Sequence, residues 1–272
     1  MKNPYAYTEA VILNIVEETP NIKTFTVKPR EAIPFKAGQF MDLTVIGKGE
    51  APFTPSSNHN VKETLDFTIM KAGRITGALH RMKIGDAIGV RGPYGLGYPL
   101  DRFRSKEIFI VGGGVGLAPL RALLYALFND ANGYKKIILK YGARTSKDIV
   151  YKREMESWKK KAKHVHVDVT VDIGDETWKG NVGLVTAILK KQSLDMDNAV
   201  SIVCGPPIMM KFVIFKLLGL GFKDANIHLS MEKNMSCGIG KCGHCRIGPF
   251  YACKDGPVFT YDKVKHLPHI WD

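Results

Sequence analysis

The sequence predicts a mixed α/β chain with three parts: an antiparallel β-barrel over residues 1–100, a parallel doubly wound α/β domain over 101–231, and a small cysteine-bearing module over 232–272. Three observations carry this prediction. Apolar residues alternate with period two through most of the first hundred positions; strands then alternate with helical segments; and four of the five cysteines fall between Cys237 and Cys253. A chain of 272 residues, 45% hydrophobic and 24% charged, has the length and composition for two packed cores.

The barrel is read from Val11, Leu13 and Ile15, from Phe25 and Val27, from Met41, Leu43 and Val45, from Leu65, Phe67 and Ile69, and from Ile88 and Val90. Pro and Gly turns separate these runs, as a small closed antiparallel sheet requires. One short helix is expected at about Thr76–Met82. Residues 51–57, APFTPSS, are an extended segment whose hydroxyls can hydrogen-bond a flat polar ring system. Residues 71–79, KAGRITGAL, enter the helix through Gly73 and Thr76, where free N–H groups and the helix dipole would meet an anion. A plain helix cap uses the same residues. Residues 91–100, RGPYGLGYPL, read as the boundary to the next domain.

In the second domain a strand at Glu107–Val111 runs into GGGVGLAP, residues 112–119, and then a helix at Leu120–Phe128. Further strands are expected at about Lys136–Tyr141, His164–Val171, Ala199–Cys204 and Asn226–Met231, with helices at Ile149–Lys161, Leu184–Lys191 and Pro207–Leu218. Such alternation makes a parallel sheet with ligands at the carboxyl ends of its strands. Gly114, Gly116 and Pro119 spell GxGxxP, close to a dinucleotide turn but ending in proline, and an ordinary strand-to-helix turn is the alternative. Cys204, Gly205 and Pro206 end a buried strand opposite that turn, so a ligand contact competes with simple core packing for Cys204.

The cysteine module carries the most specific pattern. Cys237 is followed after four residues by Cys242, after two more by Cys245 and after seven more by Cys253, which is the plant-type [2Fe-2S] spacing. Gly238, Gly240 and Gly243 allow the backbone to fold its N–H groups around sulfur. Zinc is the alternative, although structural zinc sites combine two close pairs and only Cys242 and Cys245 form one here. A disulfide framework would leave one cysteine over, and no secretory signal is visible. His244 invites a Rieske reading, but four cysteines already complete the site, and it reads as a loop residue.

The net charge of +13 admits nucleic acid, an anionic membrane, dinucleotide phosphates or an acidic protein. Much of it lies in Lys147–Lys163, which reads as a helix with a solvated lysine face. No basic stretch is interleaved with aromatics, so nucleic acid is not expected. No apolar run is long enough to span a bilayer, so membrane insertion is not expected either, and clustered thiols point to a cytoplasmic protein.

Taken in this order, the motifs resemble the ferredoxin–NADP reductase superfamily over essentially the whole chain. More closely, the chain resembles flavin-containing electron-transfer subunits with a C-terminal [2Fe-2S] cluster: the dihydroorotate dehydrogenase electron-transfer subunit, the anaerobic sulfite reductase B subunit and the gamma subunit of soluble NiFe hydrogenases. GEAPFTPSS, MSCGIGKCGHC and YACKDGPVFTY look most like the hydrogenase and sulfite reductase branch.

The resemblance implies FAD on Phe53, Thr54, Ser56 and Ser57, with Ile69 and Lys71 beside it and its pyrophosphate at Gly73, Ile75 and Thr76. It implies NAD(P)H on Gly113, Gly114, Val115, Gly116 and Pro119, with the nicotinamide held near the flavin by Cys204, Gly205 and Pro206. Cys237, Cys242, Cys245 and Cys253 are the implied metal ligands. Arg144, which follows a strand near the adenine ribose, favours NADP over NAD, though Asp148 is close by. Ala51 stands where many relatives carry an arginine for the flavin phosphate, which leaves that charge to Arg74 or to backbone N–H groups and leaves FMN open.

The implied function is an electron relay between NAD(P)H, FAD and [2Fe-2S], in either direction, serving a larger complex with other iron–sulfur or metal-containing subunits. No acid/base residues beyond the cofactors are expected. The rivals are a dihydroorotate dehydrogenase electron-transfer subunit, a self-contained reductase for an oxygenase or ferredoxin and, from another class, a zinc-stabilised nucleotide-binding sensor.

Overall fold

The computed structural model describes residues 3–190 and 194–271. Its first sheet is antiparallel throughout: β1 (Thr8–Thr19), β2 (Ile22–Pro29), β3 (Phe40–Val45), β4 (Gly49–Phe53), β5 (Leu65–Met70) and β6 (Ala87–Tyr94) lie in the order β4-β3-β6-β1-β2-β5. Helix α1 (Arg74–Leu79) follows β5. Phe25, Val27, Met41, Leu43, Leu65, Phe67, Ile69, Ile88 and Val90 all point into the core, as their alternation predicts. The phase of β1 is the exception. Val11 and Leu13 face outward, at 38% and 45% exposure, and Ala10 and Ile12 fill the core instead. Six apolar residues in the run AVILNIV carry no unambiguous phase, so pairing with β2 and β6 decides it.

The second sheet contains β7 (Glu107–Gly113), β8 (Lys136–Ala143), β9 (Val165–Val171), β10 (Asn181–Val182), β11 (Ala199–Cys204) and β12 (Ile227–Ser230), all parallel. Their order, β10-β9-β8-β7-β11-β12, reverses direction between β7 and β11. That reversal opens a crevice at the carboxyl ends of these two strands. Helices α2 (Leu100–Phe103), α3 (Leu117–Phe128), α4 (Met155–Lys159) and α5 (Pro207–Leu220) belong to this half.

Two helices differ from expectation. Of Ile149–Lys161 only α4 is α-helical, and Leu184–Lys191 is reduced to a 3-10 turn at Val185–Ile188, with Lys191 outside the described residues. Ile149, Val150 and Tyr151 are buried, and Tyr151 adopts φ 55°, which no α-helix allows. Its hydroxyl hydrogen-bonds Thr68 Oγ1 of the barrel at 2.5 Å. The segment therefore serves the seam between domains rather than presenting a long lysine face.

Arg121 of α3 completes that seam. It pairs with Asp66 of the barrel at 3.1 Å and Glu154 at 2.7 Å, donates to Ser56 O at 3.2 Å, and lies over the rings of Tyr125 and Tyr151. With only 12% of the side chain exposed, Arg121→Met leaves two carboxylates poorly compensated. The expected cost is about 3 kcal/mol, read by calorimetry as a Tm several degrees lower.

The C-terminal module is not a free appendage. It forms a small hairpin, β13 (Arg246–Ile247) with β14 (Phe250–Tyr251), and then returns β15 (Val258–Thr260) antiparallel onto β12 before α6 (Tyr261–Val264). It also meets the barrel, since the Leu96 N–H donates to Gly256 O. No described helix is long and apolar enough to cross a membrane.

Candidate functional site

The four cysteines lie on one glycine-rich loop and the hairpin behind it. Gly238, Gly240 and Gly243 take φ of 70°, 73° and 83°, and this left-handed backbone turns successive N–H groups inward. Cys237 Sγ accepts from Lys241 N at 3.3 Å, Cys242 N at 3.4 Å and Ile239 N at 3.5 Å; Cys253 Sγ accepts from Gly240 N at 3.1 Å. Burial pushes the Cys237 thiol up, but the backbone donors of Cys242, Ile239 and Lys241 and the Cys242 side chain outweigh it and bring it down to about 6. Burial and a hydrogen bond with Cys245 push Cys253 up to about 12.

Cys237 contacts Cys242 and Cys253 contacts Cys245, and Cys237 also lies close enough to Cys253 to raise its thiol, so all four side chains face one another. Among the described residues no three His, Cys, Asp or Glu side chains converge on a point suited to one ion. Two pairs of thiols with inward N–H donors fit two metal centres sharing four thiolates. His244 is exposed and bonds Ser236 through Nδ1 at 2.6 Å, a loop contact.

The crevice at β7 and β11 brings together the predicted nucleotide residues. Gly114 has φ 52° and begins a 3-10 turn through Gly116, and Tyr141 holds the Gly114 carbonyl at 3.1 Å. Gly116 packs directly on the opposite turn: a Cβ there would lie 2.7 Å from both Cys204 O and Gly205 Cα. Pro119 sits in the first turn of α3, where its missing N–H costs nothing. Val115 is partly buried and Pro206 is exposed, while Gly113 is closed over by Met209.

Cys204 is buried, and burial pushes its thiol up to about 12 against a hydrogen bond with Ser230. Tyr98 of the barrel is buried against the same pair. Sequence reasoning missed Tyr98 and Ser230, which come from different domains and share no motif.

The flavin-motif residues divide. Phe53 and Thr54 are partly exposed along β4 and its end, and Ser57 Oγ and the neighbouring His59 Nδ1 are buried without partners, as a polar ligand edge would leave them. Ser56 is different from expectation, because its hydroxyl is spent inside the barrel on Thr68 Oγ1 at 3.0 Å. Ile69 is a core side chain whose carbonyl bonds His80, and Lys71 is exposed. Gly73 is open, with nothing within 4 Å of a Cβ, and Ile75 packs under Gly49. Thr76 caps the helix start by accepting from Gly73 N at 2.7 Å, leaving the later first-turn N–H groups for an anion. Arg74 reaches the β3–β4 hairpin near Gly49.

Arg144 is exposed and, among the described residues, makes no ion pair; Asp148 is turned inward, accepting from Thr145 N at 3.1 Å and Thr145 Oγ1 at 2.6 Å.

Comparison with known proteins agrees with this layout. Residues 11–98 match the oxidoreductase FAD-binding domain, 110–214 the oxidoreductase NAD-binding domain, and 232–265 the iron–sulfur cluster binding domain of dihydroorotate dehydrogenase B. The chain is 36% identical to the sulfhydrogenase 2 subunit gamma of Pyrococcus furiosus, covering 95% of this chain and 96% of that one. This chain belongs to the family of iron–sulfur flavoprotein electron-transfer subunits. A second member, the probable dihydroorotate dehydrogenase B (NAD(+)) electron transfer subunit of the same organism, is 34% identical over 90% of this chain and 88% of its own. Among solved structures, an NADH-dependent reduced ferredoxin-NADP oxidoreductase superposes with a TM-score of 0.76 at 26% identity, covering 97% of this chain and 93% of that chain. As a family member the chain is an NAD(P)H-dependent oxidoreductase subunit whose cofactors are FAD, a nicotinamide dinucleotide and a [2Fe-2S] cluster.

Proposed function

We propose that this electron-transfer subunit serves a cytoplasmic hydrogenase or a sulfur-compound reductase, exchanging electrons with a separate metal-containing subunit. The observation that carries this reading is the paired-thiol loop docked against both the barrel and the nucleotide domain. When bound, the cofactors supply hydride acceptance from NAD(P)H at the flavin and one-electron transfer at the cluster.

The chain's own part is placement. Gly114 and Gly116 let the backbone approach the dinucleotide phosphates, and the first-turn N–H groups of α3 meet their charge. Cys204, with Ser230 and Tyr98, closes the crevice where the two domains meet and keeps water from it. The partnerless Ser57 Oγ and His59 Nδ1 offer hydrogen bonds to the flavin edge, and Arg74 with the N–H groups of α1 takes the flavin phosphate in place of the arginine replaced by Ala51. Cys237, Cys242, Cys245 and Cys253 hold the cluster, and the inward N–H groups stabilise its sulfur charge. Arg144, which makes no ion pair among the described residues while Asp148 is occupied, selects NADP.

Anaerobic titration of the purified protein tests this directly. NADPH is expected to bleach flavin and iron–sulfur absorbance together, at lower concentration than NADH, and Arg144→Ala to erase that preference. A colourless zinc protein, or one unmoved by either nucleotide, would remove the relay.

Electrons leave at the exposed ligand. Cys242 is the one exposed cysteine, and exposed Lys241 and Lys254 flank the loop, so an acidic partner face fits there. A second surface supports subunit status: α5 is apolar apart from Lys211 and Lys216, and Ile208, Phe212 and Phe215 remain 62%, 56% and 53% exposed along one stripe. Lys241→Glu with Lys254→Glu is expected to weaken association with the co-purifying subunit at least about tenfold, with marked salt dependence, and Phe212→Glu to weaken it without that dependence. Unchanged binding in both the double lysine variant and Phe212→Glu would place the interface elsewhere.

A further inference from the structure

Beneath the cluster loop, on the outer face of the barrel, lies a charged group that none of the motifs includes. Arg91 of β6 and Asp42 of β3 are cross-strand partners, and their side chains are 2% and 4% exposed. Arg91 Nη2 donates to Asp42 Oδ2 at 2.7 Å and to Glu50 Oε1 at 2.7 Å; Arg91 Nη1 donates to Tyr94 OH at 3.0 Å and to the carbonyl of Cys237 at 2.8 Å. The loop follows this surface closely, since a Cβ on Gly238 would stand 2.9 Å from Asp42 Oδ2 and 3.1 Å from the Tyr94 ring.

Stability is a poor reason for such a group. Burying an arginine with its carboxylates gains little over apolar packing, and here Arg91 Nε is buried with no hydrogen-bond partner among the described residues. The location supplies a better one. The guanidinium is fixed on the backbone of the first cysteine of the loop, where water cannot screen it, and an electron arriving on the cluster adds negative charge at that spot.

We propose that Arg91 is a positioning and potential-setting residue for the cluster, holding the Cys237 segment on the flavin barrel while its charge, offset by Asp42 and Glu50, sets how readily the cluster accepts an electron. This rests on the assignment of the cluster to Cys237 and its three companions. Removing the positive charge makes reduction harder; removing the negative charge of Asp42 makes it easier. A purely structural role would not give shifts of opposite sign.

The test is an EPR-monitored redox titration of the intact holoprotein as wild type, Arg91→Gln, Arg91→Lys and Asp42→Asn. Arg91→Gln is expected to lower the equilibrium constant for cluster reduction at least about tenfold, about 59 mV for one electron. Arg91→Lys is expected to recover most of that loss, and Asp42→Asn to shift the potential upward. Should Arg91→Gln fail to retain a cluster, Asp42→Asn alone decides. Unchanged potentials, or shifts of the same sign in Arg91→Gln and Asp42→Asn, overturn the inference while leaving the relay intact. A wild-type protein without a [2Fe-2S] signal overturns the relay first and this inference with it.

Discussion

Replacing Cys237 by serine is expected to leave a yellow protein that has lost its iron–sulfur absorbance and EPR signal but is still reduced by NAD(P)H. Cys237 Sγ collects three backbone N–H donors, and its thiol is the one brought down to about 6, so it is the ligand best prepared to bind metal as thiolate. Serine keeps the volume but not the soft sulfur donor. Bound iron should fall from about two per chain toward zero, and electron delivery to a one-electron acceptor at least about tenfold. Cys204→Ser provides the contrast. That thiol is buried at the end of β11 with its titration pushed up to about 12, away from the loop, and its replacement should leave the iron content unchanged. Iron and flavin analysis of the two variants, followed by anaerobic reduction, separates the outcomes. Full iron content in Cys237→Ser would show that the loop is not the metal site.

Gly116→Ala is expected to have the complementary effect: cluster and flavin present, but reduction by NAD(P)H slower by about a hundredfold. A methyl group at Gly116 would meet two backbone atoms, Cys204 O and Gly205 Cα, each at 2.7 Å. Neither can swing aside as a side chain would. The strand ends of β7 and β11 must therefore separate by several tenths of an ångström, and the nucleotide turn moves relative to the residue expected at the nicotinamide. Hydride transfer depends steeply on such placement, with misplacement near 1 Å costing on the order of a hundredfold. Rapid-mixing measurement of flavin bleaching reads the effect without needing the partner subunit. Wild-type rates in Gly116→Ala would mean that the dinucleotide does not lie across this turn.

The local signals in the chain reached a good part of this arrangement. The spacing from Cys237 to Cys253 depends only on neighbours along one loop, and so does the left-handed backbone of its glycines; both can be read residue by residue. The two-domain architecture follows from a change of period, since strands of a half-buried barrel and strands of a covered parallel sheet demand different patterns. Gly114, Gly116 and Pro119 were visible for the same reason.

What the tertiary structure decided are the relations between segments far apart in sequence. Strand alternation places Asp42 opposite Met41 and Leu43, and Arg91 opposite Val90, so both side chains point away from the barrel core toward what looks like solvent. Tyr5, Glu50 and Tyr94 cover part of the group, and the chain returns some 150 residues later to lay the Cys237 loop over it. Likewise Tyr98, Ser230 and Cys204 meet only after the crevice closes, and the helix expected from Ile149 gives way because Tyr151 is worth more in the seam with Thr68 and Arg121 than in a helical turn. Periodicity records which face of an element is apolar. It holds no record of which distant segment covers the other face, and the charges that border the cluster loop sit on that other face.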